Sequence, residues 1–86
     1  MEENKPVKTF RDGAVGASVW LRSTRAGVFY YVTFSRSYKN EETGESGYSL
    51  SFSDRHLLTL RRIVREAESW IDEKKQSAQT VMIDAA

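Results

Sequence analysis

The segment Val28-Phe29-Tyr30-Tyr31-Val32-Thr33-Phe34-Ser35-Arg36-Ser37-Tyr38-Lys39 is dense in aromatic and β-branched residues. Residues of these types favour a β-strand, whose successive side chains point to opposite faces of a sheet. The even positions from Val28 to Phe34 are apolar or aromatic, which predicts a core face. The odd positions change from aromatic rings through hydroxyls to a lysine. The stretch therefore predicts a strand with two chemically different faces.

The neighbouring segments extend these two faces. Val15 to Arg22 alternates, with Val15, Ala17, Val19 and Leu21 on one side and Gly16, Ser18, Trp20 and Arg22 on the other. The turn residues Ser23 to Gly27 predict that this segment and the strand at 28–39 form a hairpin. Val7 to Arg11 is a shorter strand candidate, closed by the turn dipeptide Asp12-Gly13. Gly47 to Ser53 also alternates, and its apolar side is formed by Tyr48, Leu50 and Phe52.

A single helix follows the last strand. Ser53 is a favourable N-cap residue, and apolar residues then recur at spacings of three and four. The stripe contains Leu57, Leu60, Val64, Ala67, Trp70 and Ile71. We expect this stripe to lie in the core or at a dimer interface. The helix is predicted to end near Lys74 and Lys75, since cations suit a helix C-terminus.

These elements predict an α+β fold: a curved antiparallel sheet of about four strands, with one C-terminal amphipathic helix covering its apolar face (ββββα). We expect the chain to divide into a flexible N-terminal segment at 1–6, one domain at 7–75 and a flexible tail at 76–86. A chain of 86 residues buries only a modest core, so we expect a homodimer.

The amino-acid composition excludes several classes of function. The chain has no cysteine, which excludes disulfides and thiolate chemistry, and its only histidine, His56, has no metal-binding companions. Glycine-rich phosphate loops and nucleophile motifs are absent from the sequence, so we expect neither an enzyme nor a cofactor or metal. The polar start Met1 to Pro6 is unlike a signal peptide, and no apolar run approaches the roughly 20 residues that a bilayer requires. We expect a cytoplasmic protein that binds no membrane.

Charge is unevenly distributed along the chain. The net charge is only +1, but the segment from Lys5 to Asn40 contains a single acid, Asp12, and has a local charge of +6. Segregated positive charge suits a polyanionic partner. An equally weighted alternative is a solvated sheet with ordinary surface lysines and arginines.

The second face of the predicted sheet combines cations, hydroxyls and rings, as single-stranded nucleic acid binding requires. The candidates for phosphate contact are Lys8, Arg11, Arg22, Arg25, Arg36 and Lys39. The candidates for base stacking are Trp20, Phe29 and Tyr31.

Alternatives stay open for these candidates. The rings could instead pack across strands or at a dimer interface. Arg36 lies on the same side of the predicted strand as the core positions Val32 and Phe34. It could therefore pair with a helix acid such as Glu66 or Glu68. For the whole face, the alternative function is a protein–protein interaction module that uses the aromatic face or a free sheet edge.

The order of segments resembles the positive cofactor four family. The resemblance rests on a first strand containing Phe10, a glycine-punctuated turn, a meander and a Ser-capped terminal helix, and it runs from about Val7 to Ile71. The pattern Phe29 to Phe34, followed by Arg36 to Lys39, is also similar to that of small uncharacterised prokaryotic proteins. Members of the family are transcriptional coactivators, with bacterial and phage relatives, that bind single-stranded DNA.

The resemblance implies a homodimer in which the helices pack at the interface and curved sheets form DNA-binding grooves. It also implies single-stranded DNA as the partner, although nothing in the sequence distinguishes DNA from RNA. The chain departs from the family in the loop before the last strand, which is often basic. Here this loop carries Glu41, Glu42 and Glu45, so binding beside it should be weaker or differently placed.

Overall fold

The computed structural model describes the backbone of residues 5–85 and the side chains of residues 5–77. Four strands form one antiparallel sheet in the order β1-β2-β3-β4. Their bounds are β1 Lys8–Asp12, β2 Val15–Thr24, β3 Gly27–Lys39 and β4 Ser46–Ser49. A short 3₁₀ turn, Asp54–His56, leads into the single α-helix, α1 Leu57–Ala85. The predicted ββββα architecture is therefore confirmed.

The hairpin of β2 and β3 forms the centre of the sheet. Its register pairs Ala17 with Phe34, Val19 with Val32 and Trp20 with Tyr31. Gly27 closes the turn with a φ of 138°, a conformation that only glycine adopts readily. The alternation of both strands therefore places their apolar side chains on one common face.

The core lies between this apolar face and α1. Val15, Ala17, Val19, Ile63 and Ala67 are buried. Five half-buried residues pack against the cluster of Val15, Ala17 and Ile63: Phe10, Val32, Phe34, Phe52 and Leu60. Of the predicted helix stripe, Trp70 and Ile71 are half-buried, whereas Leu57 and Val64 are exposed in a single chain. The covered face is thus only partly closed by the helix.

The helix and the last strand differ from expectation in their lengths. The helix continues past Lys75 to Ala85, so the predicted end near Lys75 is wrong. The residues after Lys75 include Gln76, Ser77 and Ala78, and no glycine or proline is present to stop the helix. The last strand ends at Ser49 rather than at Ser53. Residues 1–4 of the predicted N-terminal segment lie outside the described residues.

Candidate functional site

The sheet has one face covered by α1 and one that α1 does not cover, here called the open face. The strand residues of the open face follow from the pairing register. They are Thr9 and Arg11 on β1, Gly16, Ser18, Trp20, Arg22 and Thr24 on β2, Gly27, Phe29, Tyr31, Thr33, Ser35, Ser37 and Lys39 on β3, and Ser46 and Tyr48 on β4. None of these residues is acidic.

Two rings form a stacked pair near the middle of the open face. The rings of Trp20 and Tyr31 lie 11° from parallel, with centroids 6.1 Å apart, in an offset stack. The indole Nε1 donates a hydrogen bond to the hydroxyl of Thr33 at 2.9 Å, which fixes the ring diagonally across the strands. The sequence left cross-strand pairing of the rings open as one alternative. The structure shows such pairing for Trp20 and Tyr31.

Other rings on the open face are more accessible. Phe29 is opposite Arg22 in the register, and 51% of its surface is exposed. Tyr48 pairs with Ser37 and is 69% exposed. The sequence placed Tyr48 and Leu50 on the apolar side of the last strand. That prediction is wrong: Tyr48 lies on the open face, and Leu50, beyond the end of β4, is 83% exposed.

Cations occur along the whole open face. Arg11, Arg22 and Lys39 lie on it, and Arg25 lies in the β2–β3 turn at one end. The nearest acidic strand residue, Asp12, belongs to the covered face, where it forms an ion pair with Arg62 of α1. Both side chains of that pair are about half exposed, so it contributes only about 0–1 kcal/mol. The open face is consequently positive, except near the loop of Glu41, Glu42 and Glu45.

Two of the predicted phosphate contacts lie on the wrong side of the sheet. Lys8 is opposite Val19 on the covered face, with its Nζ 5.5 Å from the centre of the Phe10 ring. Arg36 is opposite Val15 on the same face, and its Nε donates to the carbonyl of Ser51 at 2.8 Å. The alternative that Arg36 pairs with a helix acid such as Glu66 or Glu68 is therefore wrong. Neither cation shares a face with Trp20, Phe29 and Tyr31.

An apolar groove of about 500 Å³ remains beside the helix on the covered face. It exists because α1 packs against β1 and β2 and leaves β3 partly uncovered. The sheet side of the groove is formed by Tyr30, Val32 and Phe34, and the helix side by Val64, Ala67 and Ile71. Glu68, Asp72 and Lys75 also line it. A single chain therefore leaves part of its core-facing surface open.

Other kinds of site find no support among the described residues. His56 is half-buried, and its Nδ1 is 2.9 Å from the hydroxyl of Ser53. Residues 5–77 contain no cluster of histidine, cysteine or carboxylate side chains that could hold a metal ion. No helix in the described part of the chain is long and apolar enough to cross a membrane.

The chain was compared with protein families, with curated proteins and with solved structures. No protein-family model, no curated protein and no solved structure matches the chain. The assignment of function therefore rests on the geometry of the open face.

Proposed function

We propose that this chain is a single-stranded DNA-binding protein, largely independent of sequence, and that it binds through the open face. One observation carries the proposal. Stacked and exposed rings, hydroxyls and cations share this face, and no strand residue on it is acidic. The resemblance to the positive cofactor four family points to the same ligand, and to a cytoplasmic role in transcription regulation or in DNA replication and repair. RNA fits the same chemistry.

Each residue type has a distinct role in this proposal. Arg11, Arg22, Arg25 and Lys39 neutralise phosphates and release counterions, so affinity falls as salt rises. Bases stack on the exposed surfaces of Phe29 and of the Trp20–Tyr31 pair. Hydroxyls such as those of Ser18 and Ser35 donate to phosphates or base edges. Stacking requires bases that are not already paired and stacked, so the face favours a single strand over a duplex.

The groove beside α1 supports the proposal that the protein is a homodimer. Apolar side chains of β3 and of the helix remain exposed there, and burying such surface favours association by about 25 cal/mol per Å². The family resemblance also implies helices packed at a dimer interface. A second copy would cover the groove while leaving the open face accessible for nucleic acid.

Tryptophan fluorescence tests the proposed stacking directly. The chain has two tryptophans, and Trp70 lies on the helix, edge-on to Tyr30. Trp70→Phe keeps an aromatic ring at that position and leaves Trp20 as the only indole. Titration of this variant with oligothymidine should quench or shift the Trp20 emission. An unchanged spectrum at saturating oligonucleotide would contradict stacking at the ring pair.

A protein partner is the second candidate function, favoured by the exposure of Phe29 and Tyr48. Salt dependence separates the two functions. A phosphate complex weakens steeply with ionic strength, whereas an aromatic protein interface is much less sensitive.

A further inference from the structure

A small depression of about 190 Å³ lies on the open face, where Gly16 leaves a gap in the layer of side chains. Gly16 is opposite Arg11 on β1 and opposite Ser35 on β3. Ser18, two residues further along β2, lies on the same face and also lines the depression. The gap is therefore bordered by a guanidinium on one side and by hydroxyls on two others.

The guanidinium of Arg11 lies over Gly16. A Cβ added at Gly16 would be 3.2 Å from Nη1 of Arg11, and 3.6 Å from the carbonyl oxygen of Phe10. Any side chain at this position would therefore crowd the guanidinium. Glycine allows Arg11 to remain against the sheet, where its N–H groups form a planar fork suited to an oxyanion.

The other polar groups at the depression are available for a ligand. The hydroxyls of Thr9, Ser18 and Ser35 form no hydrogen bond to any residue of the described range, and Arg11 forms no ion pair there. The residues that line the depression include no carboxylate. A site with a cation, three hydroxyls and no acid selects an anion.

We propose that this depression is a phosphate-binding site, here called the seat, which holds one phosphodiester group of the bound strand. Arg11 donates to the phosphate oxygens through its guanidinium, and Ser18 and Ser35 donate through their hydroxyls. The volume, several times the roughly 30 Å³ of a water molecule, accommodates a phosphate group but not a whole nucleotide. Ser18 and Trp20 are about 7 Å apart along β2, so the seat adjoins the ring pair. This inference rests on the proposed function and specifies where the strand's backbone lies.

The test compares variants that alter the seat with one that alters another cation. Arg11→Gln should weaken oligothymidine binding about tenfold, because it removes charge-assisted hydrogen bonds. It should also reduce the slope of log K against log salt by about 0.7. Gly16→Ala and Ser35→Ala should each weaken binding several-fold. The comparison variant is Arg25→Gln, which removes a proposed phosphate contact in the turn, outside the seat.

Double variants sharpen the comparison. Arg11→Gln combined with Gly16→Ala should bind no more weakly than Arg11→Gln alone, because both changes remove the same contact. Arg25→Gln combined with Gly16→Ala should show the sum of the two separate effects. Circular dichroism melting verifies that each variant is folded. Ser35→Ala, which only deletes a hydroxyl, keeps the test valid if Gly16→Ala does not fold.

A second measurement uses inorganic phosphate as the probe. Amide resonances of Gly16, Ser18 and Ser35 should shift when phosphate is added to the ¹⁵N-labelled protein, and should not shift in Arg11→Gln. If the wild type binds oligothymidine but the Gly16 and Ser35 variants bind equally well, the seat is wrong and the proposed function stands. If oligothymidine does not bind, the proposed function fails. The phosphate titration then decides the seat, which is overturned if those amides do not respond.

Discussion

The rings of Trp20 and Tyr31 face each other across β2 and β3, 11° from parallel and 6.1 Å between centroids, while the Trp20 indole donates to Thr33. Two rings and a hydroxyl on two central strands thus hold one another in place. A platform that is already ordered loses little side-chain entropy when a ligand binds to it. If the proposed function is right, bases should stack at the middle of the open face, on this ordered ring pair.

Replacing Trp20 should therefore weaken the binding of single-stranded DNA. We expect Trp20→Ala to raise the Kd for oligothymidine by about 5- to 150-fold, which corresponds to a loss of about 1–3 kcal/mol of stacking. Fluorescence anisotropy measures the effect. Trp70→Phe is the control, because Trp70 lies on the covered side, and it should bind as the wild type does. Equal affinity of Trp20→Ala and wild type would exclude the ring pair from the interface.

The two faces should differ in how their cations affect salt dependence. Arg22→Gln removes a cation from the open face, so the slope of log K against log salt should decrease by about 0.7. Lys8→Gln removes the same charge from the covered face and should leave the slope unchanged. Binding measured at four or more salt concentrations gives both slopes. Equal slopes for the two variants would mean that the open face is not the site.

The dimer should depend on the groove beside α1. Val64 lines this groove and is 40% exposed in a single chain, so Val64→Glu costs the monomer little but would bury a charge in a dimer. Analytical ultracentrifugation should find the wild type as a dimer and Val64→Glu as a monomer. Gln76→Glu, an exposed helix position that does not line the groove, adds the same charge as a control. Dimeric Val64→Glu protein would place any interface elsewhere.

Stability should depend on the contact between the helix and the sheet. Ile63 is 1% exposed and packs with Val15 and Ala17. We expect Ile63→Ala to lower the free energy of unfolding by about 2–5 kcal/mol, measured by urea denaturation. Leu50→Ala removes a side chain that is 83% exposed and should change the stability by less than about 0.5 kcal/mol. Similar losses for both variants would contradict the described core.

The acidic loop between β3 and β4 should weaken binding at its end of the face. Lys39, the last residue of β3, is separated from Glu41 by only Asn40. Changing Glu41, Glu42 and Glu45 to glutamine should increase affinity at low salt, with the gain vanishing at high salt as repulsion is screened. Anisotropy at two ionic strengths tests this. A gain that persists at high salt would indicate a change of loop conformation instead.

Strand periodicity was sufficient to predict the central hairpin and its two faces. In β2 and β3 the alternation is long enough to show which residues share a side, and the core side is recognisable from Val15, Ala17 and Val19. The turn at Gly27 then sets the register that brings Trp20 opposite Tyr31. The open face could therefore be predicted in outline from the sequence.

Residues on the edge strands could not be placed in the same way. β1 and β4 are short, so the pattern of either strand alone does not identify its covered side. Lys8 shares its side with Phe10, which packs on the core, and Tyr48 pairs with Ser37 rather than continuing the apolar side toward Phe52. The seat at Gly16 depends on the register between β1 and β2, which brings Arg11 opposite. Only the folded sheet shows that Arg11 and Gly16 lie opposite each other.

Single-strand binding is tested by the fluorescence anisotropy of a labelled oligothymidine of about 20 nucleotides, which is longer than the roughly 4–16 nucleotides that one OB-fold domain covers. Binding is measured at low and moderate salt, against a duplex competitor of the same length. We predict tight binding that weakens steeply with salt and that the duplex competes for poorly. Absence of binding even at low salt would contradict the account, and the open face would then have to be a protein interface.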